Sequence, residues 1–219
     1  MFKKLITVTA LSVALSSSVA SAVENNLIID IMPLSFTAHD NVDGFENNIY
    51  VGGYRSGYSE KIEGVGSISP NISIGYGLDL PYFSIDATVG AGYLANGAFT
   101  ASYFQGELTA YVTTKHKGFM IGPFYRLIDF SDPTWSTDNL DMKMIDNTTS
   151  TVSNAFGNAN AYAYGIAMMT GGKKVKFKLK VSRLNDANMY VTGRNGYVPE
   201  SNYLSMDGVS VELGLALRF

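Results

Sequence analysis

Residues suited to acid–base chemistry are scarce in this sequence. Among its 219 residues only His39 and His116 are histidines, and cysteine is absent. A general base must lie within hydrogen-bond reach of the proton that it removes. However, His116 stands between two lysines, and neither histidine is followed by a serine two positions further on. We therefore expect both to be solvated loop histidines, and we predict no catalytic residue and no enzyme activity.

Metal-binding chemistry is also weakly represented. Five aspartates fall in one polar stretch: Asp129, Asp132, Asp138, Asp141 and Asp146. Their spacing does not match an EF-hand loop, and no glycine occupies the turning position of such a loop. We predict no metal site and no cofactor, with a loosely bound calcium ion as the alternative.

A column of lysines is the strongest polar feature. It comprises Lys174, Lys176, Lys178 and Lys180, which alternate with Val175, Phe177, Leu179 and Val181. A period of two indicates a β-strand with two different faces. In a soluble sandwich such lysines would face water. In a transmembrane β-barrel they would face the lumen, and the apolar residues would face lipid.

The same alternation recurs along the chain and predicts eight antiparallel strands. They are Asn48 to Tyr58, Ile68 to Asp79, Phe83 to Tyr93, Phe99 to Val112, Phe119 to Phe130, Asn158 to Thr170, Lys174 to Val181 and Val209 to Phe219. Short connections at 79–81, 113–118 and 171–172 alternate with two long polar loops, Ser131 to Gly157 and Asp186 to Ser205. Short turns at one end and long loops at the other are typical of outer-membrane barrels.

One segment, Leu27 to Thr37, does not fit this count. It is apolar enough to be a strand, but Pro33 argues against a central position, and a ninth strand would conflict with the usual even number. One interpretation makes it the true first strand, with Asn48 to Tyr58 part of a long outer hairpin. Two other interpretations are a segment at the periplasmic mouth and one strand of a ten-stranded barrel.

The composition favours a sheet that faces lipid. Charged residues make up 16% of the chain and aromatic residues 12%, and there are 22 glycines, whereas soluble domains average about 25% charged residues.

Residues 1–22 have the pattern of a signal peptide: Lys3 and Lys4, then an apolar stretch, then Ala20-Ser21-Ala22. Its removal would take away two lysines and change the net charge from −3 to −5, which argues against a nucleic-acid partner. Residues 23–219 are then predicted to form one barrel domain.

The final strand carries a resemblance. Val209, Val211, Leu213, Leu215, Leu217 and Phe219 are apolar at every second position up to the last residue. This pattern resembles the C-terminal strand of Gram-negative outer-membrane β-barrels, in particular the small barrels of the OmpA transmembrane-domain, OmpX and OmpW group. The resemblance implies an up-and-down barrel in the outer membrane. It also implies that Leu215, Leu217 and Phe219 serve as the signal read by the barrel-assembly machinery.

The strand pattern also predicts which charges face inward. They are Lys174, Lys176, Lys178, Lys180, Arg126 and Arg218 on the basic side and Asp79, Asp86, Glu107 and Glu212 on the acidic side. Because Glu212 falls on the strand next to the lysine column, we expect a salt bridge between them. Such a network would either plug the barrel or line a narrow water-filled path.

These features favour a non-enzymatic surface role in envelope integrity, adhesion or host contact. Trp135, Tyr197 and Tyr203 are aromatic residues in the predicted outer loops and are candidate contacts for a host or surface ligand. The alternative for these rings is the aromatic girdle at the lipid interface. Outer-membrane lipid and lipopolysaccharide are the expected surroundings. The alternative function is a narrow channel for small or apolar solutes, as the OmpW-like barrels suggest.

Overall fold

A computed structural model describes residues 24–40, 46–51, 54–61, 66–96, 99–114, 118–137, 152–195, 197–199 and 203–219. All regular structure in these ranges is β-strand, and no described helix is long and apolar enough to cross a membrane. The strands are β1 Glu24–His39, β2 Glu46–Val51, β3 Tyr54–Lys61, β4 Gly66–Ile68, β5 Asn71–Asp79, β6 Phe83–Asn96, β7 Phe99–Thr113, β8 Phe119–Thr137, β9 Val152–Phe156, β10 Ala159–Gly171, β11 Val175–Asn185, β12 Asn188–Asn195, β13 Tyr197–Pro199, β14 Tyr203–Ser205 and β15 Gly208–Arg218.

The wall is a closed antiparallel barrel of eight strands, which confirms the predicted fold class. Its order is β1, β4 with β5, β6, β7, β8, β10, β11 and β15. Pairing of β15 with β1 closes the circle, with Ile29 opposite Leu217 and Phe36 opposite Val211. Because every wall strand has two neighbours, the barrel wall has no free edge.

The predicted set of eight strands was wrong in one member. Asn48 to Tyr58 is not part of the wall, because β2 and β3 form a separate three-stranded sheet with β13. Leu27 to Thr37 lies in β1 and is the true first strand, as one of the interpretations held. Pro33 is accommodated because the β1–β15 register shifts between Ile31 and Leu34, and a bulge is one of the places where a strand tolerates proline.

The two faces of the wall differ as the alternation predicts. On the outer face the side chains of Leu34, Phe104 and Phe177 are 65%, 58% and 65% exposed. The inward positions of the same strands are buried. An apolar surface that continues around the molecule is unstable in water, whereas lipid accommodates it, with polar residues inside.

The two ends of the barrel also differ. At one end, which we call the turn end, β5 joins β6 and β10 joins β11 through three residues each. At the opposite end, the extended end, β8 runs on to Thr137 and pairs with β9, and β9 and β14 both pair with β12. The stretches 131–157 and 186–205, predicted to be loops, are therefore largely strands where the structure describes them.

Depth in the membrane can be tested on β15. Leu213 lies opposite Leu34 and Leu179 in the middle of the outer face. Replacing it by arginine should lower the free energy of unfolding by about 2–4 kcal/mol, because a charge at the bilayer midplane is poorly solvated. Leu217→Arg on the same face, close to the turn end, should cost about 0–1 kcal/mol. Urea unfolding in lipid vesicles measures both values, and equal losses would contradict this placement.

Candidate functional site: the charged interior

The barrel encloses a balanced set of buried charges. Among the residues that the structure describes, five acidic and five basic side chains point inward, and none of these residues is more than 5% exposed. They are Asp30, Asp79, Asp86, Glu107 and Glu212, with Arg126, Lys176, Lys178, Lys180 and Arg218. Burial of charge in such numbers is stable only when the groups pair with one another.

Glu107 on β7 is the centre of the network. Its carboxylate accepts hydrogen bonds from Arg126 Nη2 at 2.7 Å and Nε at 2.9 Å. Lys180 Nζ lies 2.8 Å away and Lys178 Nζ 3.9 Å away. Thr109 Oγ1 donates a further bond at 3.1 Å. One carboxylate thus joins β7, β8 and β11 across the lumen.

Arg126 links Glu107 to a second acid. Its Nη1 donates to Glu212 Oε1 at 2.6 Å and its Nη2 donates to Glu212 Oε2 at 3.1 Å. The expected salt bridge from Glu212 to the lysine column was therefore wrong: Lys180 is opposite Glu212 in the strand register, but its ammonium group binds Glu107 instead. The planar guanidinium can serve two carboxylates at once, which the single ammonium of lysine does less well.

Lys178 finds its partner on the first strand. Its Nζ lies 2.5 Å from Asp30 Oδ2, and both side chains are completely buried. Sequence reasoning did not find Asp30, because the strand that carries it was left unplaced. The signal was present: Asp30 is a single acid between Ile29 and Ile31, as expected for an inward position in an alternating strand.

The turn end of the lumen is closed by Arg218. Its Nη1 donates to Asp86 Oδ2 at 2.8 Å and its Nη2 donates to Asp79 Oδ1 at 3.0 Å. Ser84 Oγ also bonds to Asp79, at 2.5 Å. These groups come from β5, β6 and β15, so the last strand is tied across the lumen to the second and third wall strands.

The lysine column contributes three members to the interior. Lys176, Lys178 and Lys180 are at most 2% exposed, but Lys174 is exposed, and its expected place in the interior was wrong. The reason is that β11 begins at Val175, so Lys174 belongs to the turn before it. The backbone N–H of Arg218 donates to the carbonyl oxygen of Lys174 at 2.8 Å and fixes this turn.

Above the charges, toward the extended end, the lumen has one polar and one apolar wall. Hydroxyl pairs join Ser35 to Ser69 at 2.7 Å and Thr37 to Ser210 at 2.6 Å. The facing wall is an apolar cluster that includes Leu94, Phe99, Tyr103, Phe130, Ala161 and Leu184. Between the walls a cavity of about 20 Å³ extends down to Arg126 and Glu212, which is room for about one water molecule.

His39 lies at the top of the polar wall. The expectation that it is a solvated loop residue was wrong. It is 4% exposed. Its Nδ1 donates to the carbonyl oxygen of Met206 at 2.8 Å, and its Nε2 bonds to Ser67 Oγ at 2.8 Å. Because both ring nitrogens are engaged, His39 joins the end of β1 to β4 and to the chain before β15.

The predicted surface contacts are only partly covered by the structure. The side chains of Trp135 and Tyr197 lie outside the described part, as do His116, Asp138, Asp141 and Asp146. Tyr203 is 48% exposed, and its ring centroid lies 5.9 Å from that of Tyr190. Within the described ranges no three potential metal-binding side chains come together.

The residues proposed as an assembly signal lie on the outer face at the turn end. Leu215 and Leu217 alternate with the buried Ala216 and Arg218, and Phe219 is 60% exposed. Two backbone hydrogen bonds of 2.9 Å join Phe219 to Leu27 on β1. The terminal strand is therefore paired along its full length.

Comparison with known proteins gives a likeness in fold. No protein-family model matches the sequence, and no curated protein matches it. Among solved structures, the chain is similar to Neisserial surface protein A, with a TM-score of 0.44, 9% sequence identity, and 91% of this chain and 100% of that chain covered. It is also similar to the outer membrane protein OprG from Pseudomonas aeruginosa, with a TM-score of 0.41, 9% identity, and 91% and 98% coverage.

The central carboxylate gives a direct test of the network. Glu107→Gln removes the negative charge on which Arg126 and Lys180 converge, and it should lower the free energy of unfolding by about 3–5 kcal/mol, because buried cations are left uncompensated. Asp40→Asn is the matched control. It breaks the ion pair with Arg183, whose partners are 40% and 37% exposed, and should cost about 0–1 kcal/mol. Denaturant unfolding in detergent measures the free energy of unfolding of both variants. A small loss of this free energy for Glu107→Gln would mean that water solvates the interior.

Proposed function

We propose that this protein is an outer-membrane barrel with a sealed lumen that acts at the cell surface without catalysing a reaction. Residues 1–22 would direct export, and the turn end would face the periplasm. The surface role would be one of envelope integrity, adhesion or contact with a host or surface ligand. The observation that carries the proposal is the paired network that fills the barrel from Arg218 to Arg126.

The outer face supports the membrane placement. Apolar side chains cover the outside of every wall strand, while the ten buried charges lie inside. Only a closed barrel or a helix satisfies all backbone hydrogen bonds in lipid. The closed pairing of β1 with β15 meets that requirement.

The interior supports a sealed rather than a conducting barrel. Arg126 reaches from β8 to Glu107 on β7 and to Glu212 on β15, so its side chain crosses the lumen. A solute would have to separate these charges, and breaking buried pairs costs about 3–5 kcal/mol each. An eight-stranded barrel is in any case only wide enough for side chains to fill.

The hydrogen bonds and ion pairs that engage the inward polar side chains support a non-enzymatic role. His39, the one described histidine, has both ring nitrogens in hydrogen bonds within the wall. It is therefore not free to accept a proton from a substrate. The inward acids are held by cations rather than left open to a ligand.

The extended end supports contact with other molecules outside the cell. There β8 continues beyond the barrel and is joined by β9, β12 and β14. Tyr190 and Tyr203 form an exposed aromatic pair on this extension. Exposed aromatic residues are enriched in recognition surfaces, and Trp135 and Tyr197 are further candidates. Lipopolysaccharide would surround this end, and the barrel-assembly machinery would recognise the end of β15.

Conductance in planar bilayers tests this proposal. The wild-type barrel, refolded and shown to be folded by its altered migration in an unboiled gel, should give no steady current. Arg126→Ala should give a measurable current, because it removes the side chain that crosses the lumen. Tyr125→Ala is the control, since the neighbouring Tyr125 is 48% exposed on the outer face; it should stay silent. A steady wild-type current would support the alternative, a narrow channel for small or apolar solutes.

A further inference from the structure

Two exposed lysines at the turn end have no role in the interior network. Lys173 and Lys174 lie between β10 and β11 and are both exposed. The ten buried charges already balance one another without them. Among the described residues, neither lysine forms an ion pair. Two exposed positive charges therefore stand side by side at this rim, outside the ion pairs that the described residues form.

The backbone around the two lysines is fixed. The carbonyl oxygen of Lys174 accepts a hydrogen bond of 2.8 Å from the Arg218 N–H. On the other side, the Gly171 N–H donates to the carbonyl oxygen of Gly118 at 3.1 Å, which ties this turn to the start of β8. Gly171 has a φ of 141°, a conformation that favours glycine. The lysine stems thus start from a defined position. The residues between Thr114 and Gly118 lie outside the described ranges and are not part of this inference.

Large apolar side chains surround the same rim. Phe119 follows Gly118 and is 44% exposed, Phe177 is 65% exposed, and Phe219, next to Arg218, is 60% exposed. In transmembrane barrels, girdles of aromatic residues flank the apolar band where acyl chains meet headgroups. A lysine near that boundary can keep its stem in the apolar layer and extend its ammonium group to the headgroups.

We propose that Lys173 and Lys174 form a binding site for the phosphate of an anionic phospholipid in the periplasmic leaflet. The inference rests on the membrane orientation given in the proposed function. Two ammonium groups that no ion pair within the described ranges engages complement a headgroup that carries a phosphodiester and no amine. A zwitterionic headgroup would bring its own cation and would be attracted less. The Phe119 and Phe177 rings would pack against the acyl chains of the same lipid.

Unfolding in vesicles of defined composition tests the site. The full mature chain is refolded into phosphatidylcholine vesicles and into matched vesicles that also contain phosphatidylglycerol, and the urea midpoints are compared. Both leaflets have the same composition, so the direction of insertion does not affect the result. Phosphatidylglycerol should raise the wild-type midpoint, and this increment should shrink at high salt because the contact is electrostatic.

The variants assign the increment to the lysines. Lys173→Gln combined with Lys174→Gln should remove most of it, and the double change to arginine should keep it. Arg183→Gln is the control, because it removes one exposed cation at the opposite end, and it should leave the increment unchanged. An undiminished increment in the double glutamine variant would overturn the proposal. So would an equal increment from inorganic phosphate in detergent, which would indicate a site for free anions.

The vesicle experiment distinguishes a failure of the headgroup site from a failure of the proposed function. If the chain fails to insert into either kind of vesicle, the membrane placement itself is wrong. If it inserts and shows no difference between the two lipids, only the headgroup site is wrong. Native mass spectrometry of the detergent-extracted protein gives an independent readout: the wild type should retain phosphatidylglycerol in preference to phosphatidylcholine, and the double glutamine variant should not.

Discussion

The contact on which the rest of the structure depends is the one between Arg126 and the carboxylates of Glu107 and Glu212. Arg126 on β8 binds Glu107 on the neighbouring β7 and Glu212 on β15, which does not pair with β8, so the contact spans the lumen. An eight-stranded barrel leaves an interior that side chains must fill, and a filling of charges must be neutral to be stable. Two further inward charges are linked to this contact, because Lys180 shares Glu107, and Lys178 lies near Glu107 while binding Asp30.

The alternation of apolar and polar residues at every second position predicted the strands of the barrel wall well, because it is set by the backbone geometry of a β-strand alone. In a strand, successive side chains point to opposite faces whatever the partner is, so Lys176, Lys178, Lys180, Glu107 and Glu212 could be placed inside from sequence. Which acid meets which base could not, since contacts across the lumen join residues far apart in the chain. Glu212 and Lys180 are opposite each other in the register, yet each finds its ion-pair partner elsewhere.

The remaining errors have local causes. Lys174 continues the alternation in sequence, but the turn that ends at Val175 removes it from the strand. Pro33 argued against a central strand, but a two-for-one bulge opposite Gly214 shifts the register by one residue, and antiparallel pairing with β15 continues on both sides of it. The bulge shifts the alternation by one position, so that the outward residues are Ile29 and Ile31 before it and Leu34 and Phe36 after it. Asp30 carried the alternation signal between Ile29 and Ile31, and it was missed because β1 was not placed among the wall strands.

The interior also explains why the two ends of the barrel can differ so much. The charged pairs run from the turn end, where Arg218 ties β5, β6 and β15 together, up to Arg126 and Glu212. The half nearest the extended end is filled by hydroxyl pairs and apolar rings, which constrain the wall without charge. The charged pairs therefore fix the strand register within the barrel. Beyond the barrel, β8 pairs with β9 and β9 pairs with β12, so the extension continues from that fixed register. The extension is also anchored by its own buried side chains, since Phe156, Met189 and Leu204 of β9, β12 and β14 belong to the apolar cluster that fills this half of the lumen.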